Sequence, residues 1–554
     1  MQTALCGAAV RRVERADAAR ALTRRAPFAA APLATPAAPP GPSWRTPAAA
    51  ACPTAWPTPP PHTCATATYR REAPSHVSGT PPCFPSPGAD APPQLGAGYE
   101  AADAADATVA AARRVADALF SADDAAGFAA LGASTSALLA ALAAAFASQL
   151  GPDDVIVVST AGHESNITPW VRAAQASGAR LAWWHPAGPH GEETCPLQPL
   201  RELLSSVSRG ERVAVVAFPN TSNLLGGVSD VAAVAAAASA AGAATVCDGV
   251  AFAPHAPVDA PAWGVSFYVL STYKTYGPHM AALWGTHTAW DRLRSGKRSC
   301  AMPNHAFITA SPPGATPWYG FELGGVSHEG CAALAGLRPY LLALAAGSAA
   351  LHPDDVAAAS TLLTDEPRAT PGAAAVAAER RCIRAAFAAM AALESGDDGA
   401  AAPLRSYLEK AHAAGRLRLL GPRSDYVAGG AGGGDDMRRV PTFSFVPTAP
   451  GVSPAAVVAA CHAAKVAVRC GHMYAPRLLR RLGIATDARG IGADGDADGA
   501  PPPPPPDAPA AAASAVGVAM GAASGGVVRV SAVHYNTREE AARAIAAIDA
   551  ALGC

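Results

Sequence analysis

A chain of 554 residues with a net charge of -1 and only 15% charged residues is too long for one hydrophobic core and has no global field to draw it to nucleic acid or anionic lipid. Its 12 cysteines are scattered, with no CxxC pair, which argues against a zinc site or a dense disulfide framework and favours a reducing compartment. Ala-rich windows such as 136–148 fall short of the ~20 apolar residues of a membrane span, so a soluble protein with a small neutral or zwitterionic ligand is expected.

The first 70 residues carry Arg11, Arg12, Arg20, Arg24 and Arg25 against only Glu14 and Asp17, followed by a Pro/Ala-rich tail. Residues 1–75 therefore resemble an organellar transit peptide, plastid or mitochondrial, although serine is scarce; a biased tail on a cytoplasmic protein is the alternative. A Pro/Gly-rich lead-in occupies 76–105. The stretch DATVAAARRVADALF (106–120) is the first predicted helix. Short apolar runs then read as buried strands at 155–159, 180–184, 213–219, 245–249, 267–271 and 281–285, with helical runs at 136–149, 167–177, 197–207 and 230–241. Such alternation predicts an α/β unit over 106–330 with a mainly parallel central sheet flanked by helices.

Beyond residue 330 helices are expected at 331–346, 372–395, 403–415 and 453–464, with strands at 440–447, 465–471 and within 525–537 and a closing helix after them. Residues 331–554 thus read as a smaller C-terminal α+β domain. The Gly-rich 428–434 and the proline-bearing 489–525 look like surface insertions.

Ligands of parallel sheets gather at the carboxyl ends of the strands. His163, Asn220, Asn223, Asp248 and the run Ser271 to Lys274 all fall at such ends, so unrelated segments converge on one rim. Only four basic residues are lysines: Lys274, Lys297, Lys410 and Lys465. Arginine serves wherever charge alone suffices, so a lysine on the rim points to a need for a deprotonatable amine.

The segment DGVAFAPHAPVDAPAWGVSFYVLSTYKTYGPHMAALWG (248–285) resembles the core signature of the cysteine desulfurase and selenocysteine lyase branch of the class V aminotransferases. The likeness covers roughly 106–550. It implies pyridoxal phosphate as cofactor, the type I fold of that cofactor's enzymes, a homodimer and an amino-acid substrate. Lys274 would carry the cofactor as a Schiff base and then move the substrate's α-proton. Asp248 would pair with the pyridinium nitrogen and His163 would stack on its ring. Ser134, Thr135 and Ser136, ahead of an apolar helix, would meet the phosphate together with Ser271 and Tyr273. Arg529, in VVRVSAVHYNT, would grip the α-carboxylate, with Asn223 near it and near the cofactor's oxygen.

Three positions depart from the family's pattern. Tyr474, in RCGHMYAPRLL, stands where desulfurases carry the sulfur-accepting cysteine, and so faces the substrate without being able to form a persulfide. Cys470, four residues earlier, reads as a small buried hydrophobe. Ala251 and Gly325 replace a glutamine and a threonine that hold the cofactor. A C-S or C-Se lyase acting without a protein persulfide leads; a class V aminotransferase and a catalytically quiet scaffold are the alternatives.

Overall fold

The computed structural model describes residues 100–123, 125–294, 320–347, 351–364, 371–424, 439–485 and 525–553. The expected transit segment, the lead-in before residue 100, the Gly-rich 428–434 and residues 489–524 lie outside them.

Seven strands, β1 (Gly127–Gly132), β2 (Asp154–Ser159), β3 (Arg180–Trp184), β4 (Arg212–Pro219), β5 (Ala244–Asp248), β6 (Phe267–Ser271) and β7 (Ala281–Thr286), form one sheet in the order β1-β7-β6-β5-β4-β2-β3. From β3 through β6 all pairings are parallel, and β7 runs antiparallel to both β6 and β1. Strand side chains alternate between faces. Accordingly Val155 and Val157 enter one apolar cluster and Ile156 and Val158 another, so both faces are covered, as the continuous apolar runs predict.

No sequence pattern announces β1. Its GFAALG sequence lacks the β-branched residues that mark a strand. What selects it is close approach: a Cβ on Gly127 would stand 2.2 Å from the carbonyl oxygen of Gly285 on the neighbouring strand. Other expected bounds shift for local reasons. The first helix starts earlier, at Glu100. The run 331–346 splits into His328–Ala335 and Arg338–Ala346, because Pro339 opens a new helix more readily than it continues one. The strand expected at 465–471 shrinks to Arg469–Gly471: Lys465, at φ 61, closes the preceding helix in the left-handed region.

A second sheet holds β8 (Leu417–Leu419), β9 (Thr442–Pro447), β10 (Arg469–Gly471) and β11 (Val527–Ser531), all antiparallel, in the order β10-β11-β9-β8. Its core begins at Ala400 and Leu404. Helices from His328 to Ser395 do not belong to it: Cys331, Leu341, Cys382 and Phe387 pack with Val157 and Tyr268 on one face of the large sheet. The change of core falls near residue 400, because these helices have no strand partners of their own and bury their apolar faces on the large sheet.

Candidate active site

Strand register assembles the first half of the site. Gly132 at the end of β1 and Ser271 at the end of β6 both lie opposite Ala281 of β7. The helix Thr135–Ala147 therefore starts beside the turn after β6, and the Thr135 and Ser271 hydroxyls meet at 2.7 Å, both buried. Ser134 caps that helix by accepting the Ala137 N–H, whereas Ser136 is exposed in its first turn. No acidic residue lies in that turn, so nothing opposes the partial positive charge of the helix start. Tyr273 stands at the mouth, 44% exposed, with its ring stacked on His279 at 5.0 Å and 5.8 Å from Lys274 Nζ.

Asp248 ends β5, buried, and its carboxylate accepts the Val250 N–H at 3.0 Å. Burial raises its pKa against the opposing pull of Lys274. Burial likewise lowers the Lys274 amine, with Arg529 adding to it, despite the attraction of Asp248. Desolvation thus outweighs mutual attraction on both partners. His163 follows β2; burial and the positive charges of Lys274, Arg529 and His472 push its imidazole down to about 4, leaving it a neutral ring at pH 7. Its Nδ1 accepts the Ser165 N–H at 3.1 Å.

The C-terminal unit supplies the other half. Arg529 on β11 donates from Nη1 to the Asn223 carbonyl at 3.0 Å, and Asn223 Nδ2 donates to the Met473 carbonyl at 2.7 Å. The Tyr474 ring lies 5.1 Å from that of His163, tilted by 34°, and is 59% exposed. Met473 and Tyr474 both adopt the left-handed region, at φ 49 and 58, which costs energy for non-glycine residues. The turn is pinned from outside. The Glu164 N–H donates to the Tyr474 carbonyl at 2.8 Å, and Glu164 takes the Arg477 guanidinium at 3.1 Å. Cys470 neighbours Arg469 on β10 and so faces the opposite way, packing against the small core; burial pushes its thiol up. That is the small-hydrophobe behaviour expected of it.

Sequence reasoning missed Glu164 and Arg477, although Glu164 sits inside GHESNITPW; nothing in a sequence ties it to a residue 313 positions on. It also missed a buried polar network behind Lys274. Tyr276, at φ 71, donates to the Pro254 carbonyl and lies 3.2 Å from His534 Nδ1, while His255 Nδ1 holds both oxygens of Glu394 at 3.0 Å. Gly325 has open space where a side chain would stand.

A mixed sheet flanked by helices, with a buried carboxylate and a lysine at the ends of successive strands, is the type I architecture of pyridoxal-phosphate enzymes. Residues 96–343 match the family described as aminotransferase class V, and the similarities of the chain support a pyridoxal-phosphate-dependent enzyme of that class, on its cysteine desulfurase-like branch. It is 28% identical over 424 residues to an aminotransferase-like protein of Gibberella zeae, covering 76% of this chain and 78% of that one. A cysteine desulfurase-like protein of Aspergillus flavus is 29% identical over 184 residues, 32% of this chain and 39% of the relative. The fold is shared with the apo structure of a cysteine desulfurase from Thermococcus onnurineus, at a TM-score of 0.55 and 18% identity, over 84% of this chain and 89% of that one.

The residues fit the family's cofactor, pyridoxal phosphate. Asp248 is a buried carboxylate with one backbone hydrogen bond, hydroxyls cluster at a helix start, and Asn223 Oδ1 is buried without a partner among the described residues. No group of three or more His, Cys, Asp or Glu among the described residues could hold a metal. No helix among them is long and apolar enough to cross a membrane.

Proposed function

We propose that this enzyme is a C-S or C-Se lyase that cleaves an amino acid's side chain without a protein persulfide. The observation that carries this reading is the Tyr474 turn: an aromatic ring on a pinned turn beside His163, where the family's desulfurases carry a reactive cysteine, with Cys470 turned into the small core.

Bound pyridoxal phosphate supplies an aldehyde for a lysine amine and a ring that withdraws electrons from the substrate's α-carbon. Lys274 is the amine, and burial that lowers its pKa leaves more of it unprotonated and nucleophilic. Released from the cofactor, the same Nζ takes the proton from the α-carbon. Asp248 holds the pyridine nitrogen protonated, and neutral His163 offers a flat face that neither competes for that proton nor repels the ring. Thr135, Ser271, Ser134, Ser136 and Tyr273 are proposed for the phosphate, Arg529 for the substrate's α-carboxylate and Asn223 for orienting both. Tyr474 closes the side from which the leaving group departs, where its hydroxyl can donate a proton to it.

A homodimer fits the exposed large apolar side chains Tyr273, Leu323 and Tyr474. The Arg-rich, acid-poor opening supports import into a plastid or mitochondrion. Retention of lysine, carboxylate, histidine and arginine on one site weighs against a quiet scaffold. The test is an absorbance spectrum of the purified protein beside Lys274→Ala, before and after adding cysteine and other amino acids. The parent should show a visible band of lysine-bound cofactor that the variant lacks and that a substrate changes, with sulfide or selenide released; a parent without that band after loading with excess cofactor overturns the reading, and a band with amino-group transfer instead of elimination assigns an aminotransferase.

A further inference from the structure

The three segments that carry Asp248, Lys274 and Arg529 all run into one buried cluster. Pro254 and His255 lie in the loop that follows Asp248, Tyr276 lies in the turn that carries Lys274, and His534 lies just past the end of β11, which carries Arg529. The Tyr276 hydroxyl donates to the Pro254 carbonyl at 2.9 Å and stands 3.2 Å from His534 Nδ1. His534 Nε2 lies 2.6 Å from the hydroxyl of Tyr340, on the helix Arg338–Ala346. Glu394, on the helix Ala373–Ser395, takes His255 Nδ1 through both oxygens and is also met by the His534 backbone N–H. His534, His255 and Glu394 are all buried.

A histidine between two tyrosines is ordinarily a satisfied piece of core, but the backbone of Tyr276 sets this one apart. Among the described residues, positive φ outside glycine occurs at Ser121, Tyr276, Lys465, Met473 and Tyr474. Ser121 and Lys465 follow helix ends, and Met473 and Tyr474 form the turn beside His163. Tyr276, at φ 71, stands in the Lys274 turn, which the Gly277 N–H closes on the Thr272 carbonyl at 2.8 Å. A glycine would adopt that φ freely; a tyrosine keeps it only where its surroundings hold it. Here its own hydroxyl is the handle. Proton count fixes the direction of these bonds. A phenol has one proton and the Pro254 carbonyl can only accept, so Tyr276 accepts from His534 Nδ1–H, which leaves Nε2 of the neutral ring to accept from the Tyr340 hydroxyl.

We infer that His534 is a positioning residue: its Nδ1–H holds the Tyr276 hydroxyl, and through it fixes the turn that carries Lys274 relative to the strand that carries Arg529 and the loop that follows Asp248. The inference rests on the reading of Lys274 as the cofactor lysine and adds to it a residue that acts through another. An amine that must meet a substrate held by Arg529 needs both in one frame, because a misplacement of about 1 Å costs on the order of 10²-fold in rate. The small sheet has a core of its own, while Tyr340 and Glu394 belong to helices packed on the large sheet. His534 therefore ties the frame across two separately packed units.

Two resonance measurements on cofactor-free protein test this. With nitrogen-labelled histidine, the His534 ring, assigned by its loss in His534→Asn, should carry its proton on Nδ1 at pH 7; a proton on Nε2 with Nδ1 bare overturns the inference. With carbon-labelled lysine, the chain's four lysines give few signals, and Lys274→Ala assigns the one of interest. Burial holds this amine below its ordinary value, so a loosened turn should let its midpoint rise by about one pH unit, tenfold in the equilibrium. Tyr276→Phe should show that rise, as should His534→Gln, whose amide falls nearer the place of Nε2. His534→Asn, whose amide matches Nδ1, should keep most of the parent's value. Tyr340→Phe removes the hydroxyl on the other side of the same ring and should shift the midpoint far less. Equal shifts in Tyr340→Phe and Tyr276→Phe, or no shift in Tyr276→Phe, overturn the inference. In the cofactor-loaded enzyme Tyr276→Phe should lower kcat about tenfold or more. The visible band of the parent, lost in Lys274→Ala, tests the lysine reading separately, so a parent with the band whose Tyr276→Phe variant matches it in midpoint and kcat sinks only the inference.

Discussion

The rim of the large sheet and the face of the small one meet at a single site but are built on opposite principles. Asp248, Ser271 and Lys274 stand at the ends of neighbouring strands, within the one strand-helix-strand stretch 244–274, and register alone brings Thr135 to Ser271. On the small-sheet side, Arg529 reaches Asn223 across 306 positions and Asn223 reaches Met473 across 250. Charge follows the same division. The rim pairs a carboxylate with an amine and desolvates both, so that each leans toward its neutral form; the opposing face presents the Arg529 guanidinium. One half suits a cofactor held in a dry setting, the other an anionic substrate that arrives and leaves.

If that division is right, damage to the rim should remove chemistry while damage to the opposing face should remove recognition. The largest effect is expected from Asp248→Asn, which removes the charge that keeps a pyridine nitrogen protonated: kcat should fall on the order of 10²–10³-fold, the scale of losing one preorganised electrostatic group, with KM changed far less. A loss confined to KM would break the comparison. Next comes Arg529→Ala, which should raise KM about 10- to 100-fold, as for one charge-assisted contact, while the visible band of the loaded enzyme persists; Arg529→Lys should recover only part, because an ammonium cannot form the two-point contact. If the resting band vanished instead, the small-sheet face would belong to the cofactor half.

The smallest effect is a titration. His163 is held at about 4 first by burial and then by Lys274, Arg529 and His472. In cofactor-free protein its ring resonances should therefore shift near pH 4, and Lys274→Ala should move that midpoint upward by removing a like charge. The sign for stability follows. Between the usual histidine value and about 4 the unfolded chain binds a proton that the folded one refuses, so this residue favours folding above pH 6.5 and its contribution declines as pH falls toward 4. A midpoint near 6.5 would mean that the site is open to water.

Much of the rim is legible in the order of the amino acids. The strands from 155 to 285 announce themselves as apolar runs, and a lysine in a chain that prefers arginine marks its own position. The strand Gly127–Gly132 stays hidden because its small residues are chosen for contact with Gly285, a requirement of space and not of pattern. The helices of 328–395 leave their core unannounced for a related reason: an amphipathic helix encodes that it must bury a face, not against which sheet.

Sequence by itself determined the α/β alternation, the positions of Lys274 and Asp248 at the ends of successive strands and the resemblance to the family, because these depend on local periodicity and on motifs whose spacing along the chain is fixed by the strands that carry them. Tertiary structure alone decided what those motifs face. The pinning of Tyr474 by Glu164 and Arg477, and the meeting of Tyr276 with His534, arise from long-range closure. A side chain's partners across hundreds of residues are set by packing, which leaves no local trace in the order of the amino acids.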